Sequence, residues 1–394
     1  VGFIGAAAQI FSDAAAMTGQ TTAIFGQPPE GVPIPMLRIH ASALRHNLNR
    51  FRELAPRSKV LLPVKANAYG CGLQTLFPVF TDAAVDMLGV ANCHEAVELR
   101  KLGWQKPVLN LGGFFKGSIA SIIAYDISAS ITDVWQVAAL DSAAGGKPVS
   151  VHLKLDLGMG RIGVREESLN ELVVALKSAT NLRVDGIFTH FPHSGPEAAP
   201  FTLAQNESFS RIAHALVREL GLQRDAVVFH AANSYSAAFF SETHHDMIRP
   251  GILFYGYYQS ENDRLQFNER FGFRPALELV ATPVSVRTLR RGDGISYSSL
   301  YHVTEPSETV AVLPLGYADG IPRALSNQIK FGRHPLRGRV TMDQIILGEP
   351  NGFEPITLLG SGVPSLEYWG DLSQSFSYEI MSHLGNRLQR ILVN

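Results

Sequence analysis

Eight short apolar runs, each followed by a stretch with helical character, leave this chain few folds to adopt. They lie at 60–65, 86–91, 107–112, 127–132, 150–157, 184–190, 227–232 and 247–255. Each has strand length and is continuously apolar rather than alternating, as strands buried on both faces read. Two of the intervening helices are clear, His94–Leu102 and Asn206–Leu220, the second closed by Gly221. A strand–helix unit repeated eight times predicts an α/β chain built as a parallel (β/α)8 TIM barrel. A strand-like patch at Met36–Ile39 precedes it. A helix over His40–Leu54 follows that patch, with Leu44, Leu48, Phe51 and Leu54 near helical spacing.

The pattern changes after about residue 270. Strand-like stretches follow at 277–290, 308–316, 338–347 and 356–360, separated by turns such as Arg291-Gly292-Asp293-Gly294. No long helix is expected before 377–388. The expected organisation is a barrel domain over 35–270 and a mostly β C-terminal domain over 271–394. Residues 1–34, Ala/Gly-rich and then Pro/Gly-rich, form an extension and linker with one short helix.

Charge narrows the choice of partner. Thirty-four Lys and Arg against 35 Asp and Glu give a net charge of -1. That leaves no broad basic field for a nucleic-acid backbone or a membrane surface, so a small molecule is the expected partner. No run of apolar residues is long enough for a transmembrane helix. Cys71 and Cys93 make neither a disulfide framework nor a zinc site, so reduced, partly buried thiols and no metal are expected. The start of the chain lacks the basic region of a secretory signal, and the expected location is cytoplasmic.

The first barrel run ends Val60-Leu61-Leu62-Pro63-Val64-Lys65-Ala66-Asn67-Ala68-Tyr69-Gly70. A lysine at the carboxyl end of a barrel strand sits where such folds place their chemistry. Desolvated there, it becomes a nucleophile and a base near neutral pH. The plainer alternative is a lysine reaching from the strand end into water. Further chemistry-bearing residues end later strands: Lys154 and Arg161 near the fifth, His190 at the sixth, Ser234 after the seventh, Arg249 and Gly251 in the eighth. Ser234 opens a helix, where it suits a phosphate or serves only as a cap.

VKANAYG at 64–70 resembles the pyridoxal-phosphate lysine motif of alanine racemases. The resemblance continues through HLKLDLGMGRIG at 152–163, THF at 189–191, AANS at 231–234 and IRPGI at 248–252. It extends into ISY at 295–297, LGYADG at 315–320 and GRVTMDQ at 338–344. It implies that Lys65 holds pyridoxal 5'-phosphate covalently and that Tyr69, Ser234, Gly251 and Ile252 contact its phosphate. By the same resemblance Arg249 faces the pyridine nitrogen, His190 supports that arginine, and Arg161 meets the cofactor's phenolic oxygen and the substrate carboxylate. Lys154 matches a lysine often carbamylated in this family. Leu157 departs from the usual Thr, and Thr341 stands where Cys is common.

From the second domain the resemblance implies Tyr297 as a second catalytic base acting in the partner subunit. Met342 offers its backbone N–H to the substrate carboxylate, and Tyr317 lines the entrance. The expected protein is therefore a homodimer that interconverts L- and D-alanine by a two-base mechanism and supplies D-alanine for peptidoglycan. Aligned from Tyr378-Glu379, Asn386 falls where the family has a phosphate-contacting tyrosine, as in serine racemases. Serine is thus an alternative substrate. A pyridoxal-phosphate decarboxylase is a further alternative, although it would carry an acid where Arg249 stands.

Overall fold

A computed structural model describes residues 34–82 and 85–394. The extension and short helix expected at 1–34 lie, but for Ile34, outside the described residues. After a first strand, β1 (Met36–His40), the chain alternates strands with helices. The strands are β2 (Lys59–Pro63), β3 (Met87–Val90), β4 (Val108–Asn110), β5 (Ser128–Ile131), β6 (Val149–Lys154), β7 (Leu182–Phe188), β8 (Val228–His230) and β9 (Met247–Ile248). Each falls at one of the eight apolar runs. They form one parallel sheet in the order β8-β7-β6-β5-β4-β3-β2-β9. The ring closes where Asp246 N–H donates to the Phe229 carbonyl at 3.1 Å and Arg249 N–H donates to the Ala232 carbonyl at 2.9 Å.

Local chemistry explains where elements start and stop. The helix Cys93–Lys101 opens with the Asn92 side chain accepting from Glu95 N–H, and carries Arg100 and Lys101 in its last turn. The helix Ala199–Glu219 begins seven residues before the expected Asn206. Pro200 sits in its first turn, where a missing N–H has no partner to lose. β9 is much shorter than its apolar run: Pro250 removes a donor, and Ile252–Tyr255 winds into a 3-10 turn.

The alternation of side chains sets what fills the barrel. Val149, Val151 and Leu153 of β6 pack outward with Leu172 and Leu176 of the covering helix, so Ser150, His152 and Lys154 face inward. Leu61, Leu109 and Met247 form an apolar interior cluster. The polar interior groups Ser130, His152, Lys154, His230 and Arg249 are all buried as well.

The second unit is mostly β, as expected, but its strands are divided differently. The stretch 277–290 forms two strands, Leu277–Ala281 and Ser285–Arg290, with Pro283 between them. Of 338–347 only the end is strand, Ile345–Gly348; before it Thr341 and Gln344 close a turn on each other. The helix expected at 377–388 covers only Ser377–Ser382. The chain then packs Gly385 so tightly that a Cβ there would lie 2.5 Å from the Ala318 carbonyl oxygen. β1 pairs with Leu277–Ala281 and Gln389–Val393, so it belongs to this unit's sheet although it precedes the barrel in sequence. Among the described residues no helix is long and apolar enough to cross a membrane.

Candidate active site

After β2 the backbone does something no apolar pattern announces. Ala66, Asn67, Ala68 and Tyr69 all take φ between 53 and 56°, a left-handed turn built from residues with side chains. Each such residue costs about 1–2 kcal/mol. Hydrogen bonds oppose that cost. Ala68 N–H donates to Val64 at 2.8 Å, Gly70 N–H to Ala66 at 2.9 Å and Gly72 N–H to Asn67 at 2.9 Å. The Asn67 side chain accepts from Leu73 N–H, and Glu95 accepts from Ala66 N–H and Ala91 N–H, all at 2.7 Å. Gly70 continues the turn at φ 82°, where a Cβ would meet the Met381 carbonyl oxygen at 2.3 Å. The turn brings Lys65 and Tyr69 to one cavity.

That cavity has a volume of 180 Å³ and lies over the carboxyl ends of the barrel strands. Lys65, Tyr69, Lys154, Arg161, His190, Ser234, Arg249 and Gly251 all line it. Lys65 is exposed to the cavity yet deeply enclosed by its walls. That desolvation, followed by the charge of Arg161, holds its amine below the usual lysine range. Burial beside Arg249 and Arg161 pushes Lys154 down to about 7. Its Nζ stands 5.0 Å from the centre of the Phe188 ring.

One wall is a cradle of hydroxyl and backbone groups. Asn233 caps the short helix Ser234–Phe239 through Tyr235 N–H and Ser236 N–H. Ser234 Oγ accepts from Gly251 N–H at 2.6 Å, which ties the seventh strand's loop to the eighth's. Ile252 follows and opens the 3-10 turn. Tyr69 reaches this cradle from the opposite side and packs on Tyr255 and Tyr378, with ring centres 5.2 and 6.5 Å apart.

Arg249 is held on every side. Its Nη2 donates to the Thr189 and Ala231 carbonyls, both at 2.8 Å, and lies 3.5 Å from His190 Nδ1. Its Nη1 donates to His230 Nδ1 at 3.0 Å. Desolvation lowers even this guanidinium to about 9. Across the cavity, the loop that presents Arg161 is folded around Asp156. That carboxylate accepts from the N–H groups of Gly158, Gly160 and Arg161 at 3.0–3.2 Å, and those bonds hold it below the usual carboxylate range.

A larger cavity of 660 Å³ lies elsewhere, lined by Glu261, Arg264 and residues of the second unit. Its principal charges neutralise each other, since Arg264 pairs with Glu261 at 2.5 Å. None of the lysine, arginine, histidine and serine residues of the strand-end motifs lines it; these meet at the Lys65 cavity instead.

Comparison with known proteins agrees with this geometry. Residues 39–259 match the family model of the alanine racemase N-terminal domain, and 276–392 that of the C-terminal domain. The chain belongs to the alanine racemase family. It is 33% identical to an alanine racemase of Desulforamulus reducens, over 90% of this chain and 98% of that one. It is also 33% identical to the biosynthetic alanine racemase of Salmonella typhimurium, over 89% and 96%. A crystal structure of alanine racemase from Streptomyces lavendulae superposes with a TM-score of 0.84 at 31% identity, covering 93% of this chain and 98% of that one.

Within this alanine racemase fold, four expected residues are not among those lining this chain's Lys65 cavity: Asn386, Tyr297, Met342 and Tyr317. Asn386 is exposed and does not line the cavity; Tyr378 does. The helix Ser377–Ser382 places Tyr378 beside Tyr69, whereas the packed turn at Gly385 carries Asn386 to the surface. Tyr297, Met342 and Tyr317 are 72%, 53% and 45% exposed, and none of them lines this chain's Lys65 cavity. Sequence reasoning passed over His230, His152 and Asp156. His152 opens the motif at 152–163 and His230 stands directly before the one at 231–234, and neither carries a role in the resemblance. Asp156 had a legible signal, an acid followed by Gly158 and Gly160 in a tight loop.

Proposed function

We propose that this chain interconverts L- and D-alanine with pyridoxal 5'-phosphate, as a homodimer in which each site draws residues from both subunits. The observation that carries the reading is the convergence of Lys65, Arg161, Arg249, Ser234 and Tyr69 on one cavity. The wall suits that cofactor. A Cβ at Gly251 would fill the cradle, 2.6 Å from Tyr69 Oη and 3.5 Å from Ser234 Oγ, and an amine of depressed pKa faces it.

When bound, pyridoxal phosphate draws electrons from the substrate's Cα and makes the proton there removable. Tyr69, Ser234, Gly251 and Ile252 would hold its phosphate, with Tyr378 packed behind Tyr69. Arg249 would donate to the ring nitrogen. A guanidinium supplies no proton there, so it restrains the electron demand and favours return of the proton to Cα. His190 keeps Arg249 in place.

Lys65 removes or returns the Cα proton on one face. Tyr297 of the partner subunit does so on the other, and its exposure on this chain fits that role. Arg161 and the backbone N–H of Met342 of the partner subunit hold the substrate carboxylate. Lys154, partly neutral at pH 7, is suited to carry a carbamate that would pair with Arg161. D-alanine made in the cytoplasm would serve peptidoglycan synthesis. An arginine rather than an acid at position 249 disfavours the decarboxylase reading.

The test is racemisation of L-alanine and L-serine side by side, with Lys65→Ala as the blank. Fast alanine turnover and slow serine turnover are expected. Equal or faster serine turnover would move the substrate to serine, and bound cofactor without either reaction would sink the reading.

A further inference from the structure

The hydrogen bonds behind Arg249 have a direction. A guanidinium only donates, so His230 Nδ1 accepts. A neutral His230 then carries its proton on Nε2 and donates it to His152 Nδ1, 3.0 Å away. His152 must in turn carry its proton on Nε2. That atom is buried and meets no hydrogen-bond partner in the protein. Burial pushes His152 down to about 4 and His230 well below its usual range, so both rings are neutral at pH 7.

The fold is arranged to hold this thread. Between β6 and β7 the register shifts, from Val151 opposite Val184 to His152 opposite Gly186. The bulge sets a glycine beside the ring; a Cβ at 186 would lie 2.2 Å from His152 Nδ1. His230 stacks on Phe188 with ring centres 4.6 Å apart and planes 6° apart.

His152 also lines a cavity of 340 Å³ at the amino-terminal end of the barrel, opposite the Lys65 end. Ser150 and Ser128 share it, their hydroxyls 3.0 Å apart. Its arginines are already engaged. Arg183 forks onto Asp185 at 2.6 and 2.7 Å, and Arg100 donates to four backbone carbonyls. The acceptor that suits a lone N–H there is a neutral one, with hydroxyl neighbours to complete its bonds.

We infer that the barrel has a second polar site at its amino-terminal end, where His152 Nε2–H binds an ordered water, and that His152 is a positioning residue for Arg249, acting through His230. The tautomer chain stands on its own geometry; only its catalytic consequence rests on the reading of Arg249 given above. Through these two rings, one of the four contacts that hold Arg249, the one to its Nη1, is fixed from the opposite mouth of the barrel.

Histidine-selective 15N labelling of the full chain, read by long-range 1H–15N NMR, tests this directly. Both rings are expected as neutral Nε2–H tautomers, and His152 is expected to be insensitive to added chloride or formate. An Nδ1–H tautomer at either ring, or averaging of the two, overturns the chain. A shift of His152 with formate or chloride overturns the water. His152→Gln offers an acceptor and a donor in similar places and should keep His230 in its tautomer. His152→Leu leaves the His230 N–H without an acceptor. It should release that tautomer and lower kcat roughly tenfold or more with little change in KM. Identical His230 spectra in the two variants would overturn the positioning role. A wild-type chain that does not racemise alanine would sink the proposed function while leaving the NMR result intact.

Discussion

The Tyr69 hydroxyl occupies the space where a side chain on residue 251 would begin, 2.6 Å from the position of a Cβ. Tyr69 gets there through four consecutive left-handed residues, and Gly251 is held by its N–H bond to Ser234. Gly251→Ala is therefore expected to push Tyr69 out of the cradle. Affinity for pyridoxal phosphate should fall at least about tenfold, while thermal stability should fall by only about 1–3 kcal/mol, the usual cost of overpacking. Fluorescence titration with the cofactor and a melting curve measure the two effects separately.

A site shared between subunits predicts complementation. Lys65→Ala and Tyr297→Phe homodimers should each be inactive. In a mixed dimer one site keeps both wild-type residues and the other loses both. Equal mixing and re-association should therefore restore roughly a quarter of wild-type activity. If Tyr297 acted within its own chain, mixing would restore nothing.

Arg161 is one of the charges that hold Lys65 below its usual range. Removing it in Arg161→Gln should raise the Lys65 pKa, so at neutral pH less of the amine is free to react. The pH dependence of Lys65 acylation by a limiting reagent, in cofactor-free protein, should move to higher pH. An unmoved profile would show that Arg161 does not set the lysine.

Glu367 is fully buried, accepts from Tyr258 N–H at 2.8 Å with one oxygen and leaves the other without a partner. Burial pushes its carboxyl up to about 7. A raised acid pKa favours the protonated fold, so this contribution is present below the ordinary value of about 4.3 and is lost as pH rises towards 7. Its size is roughly 3 kcal/mol, taken from the shift at 1.36 kcal/mol per unit. Glu367→Gln should therefore melt higher than wild type at pH 8 and close to it at pH 4. Equal melting shifts at both values would contradict the assignment.

Much of this molecule is legible in its sequence. Eight apolar runs with helical stretches between them were enough for the barrel, because strands buried on both faces must be apolar throughout. The short motifs around Lys65, Arg161, Ser234 and Arg249 marked the strand ends where the cavity forms. The change of period after residue 270 announced a second, mostly β unit.

Other features were decided only by the fold. β1 joins a sheet made from the far end of the chain because Leu37 and Ile39 find their burial there, a contact across more than two hundred positions that no local pattern encodes. Whether Tyr378 or Asn386 stands at the cavity depended on where a six-residue helix ended against Gly385. The left-handed turn at Ala66–Tyr69 violates local preference and persists because hydrogen bonds to Val64, Asn67 and Glu95 compensate. The histidine thread behind Arg249 needed a bulge, a glycine and three strands to come together. The sequence by itself determined which faces are apolar and which residues are reactive, since those are properties of side chains. Which reactive groups meet, and in which protonation state, was decided by the tertiary structure, because burial and directional hydrogen bonds exist only once distant strands are side by side.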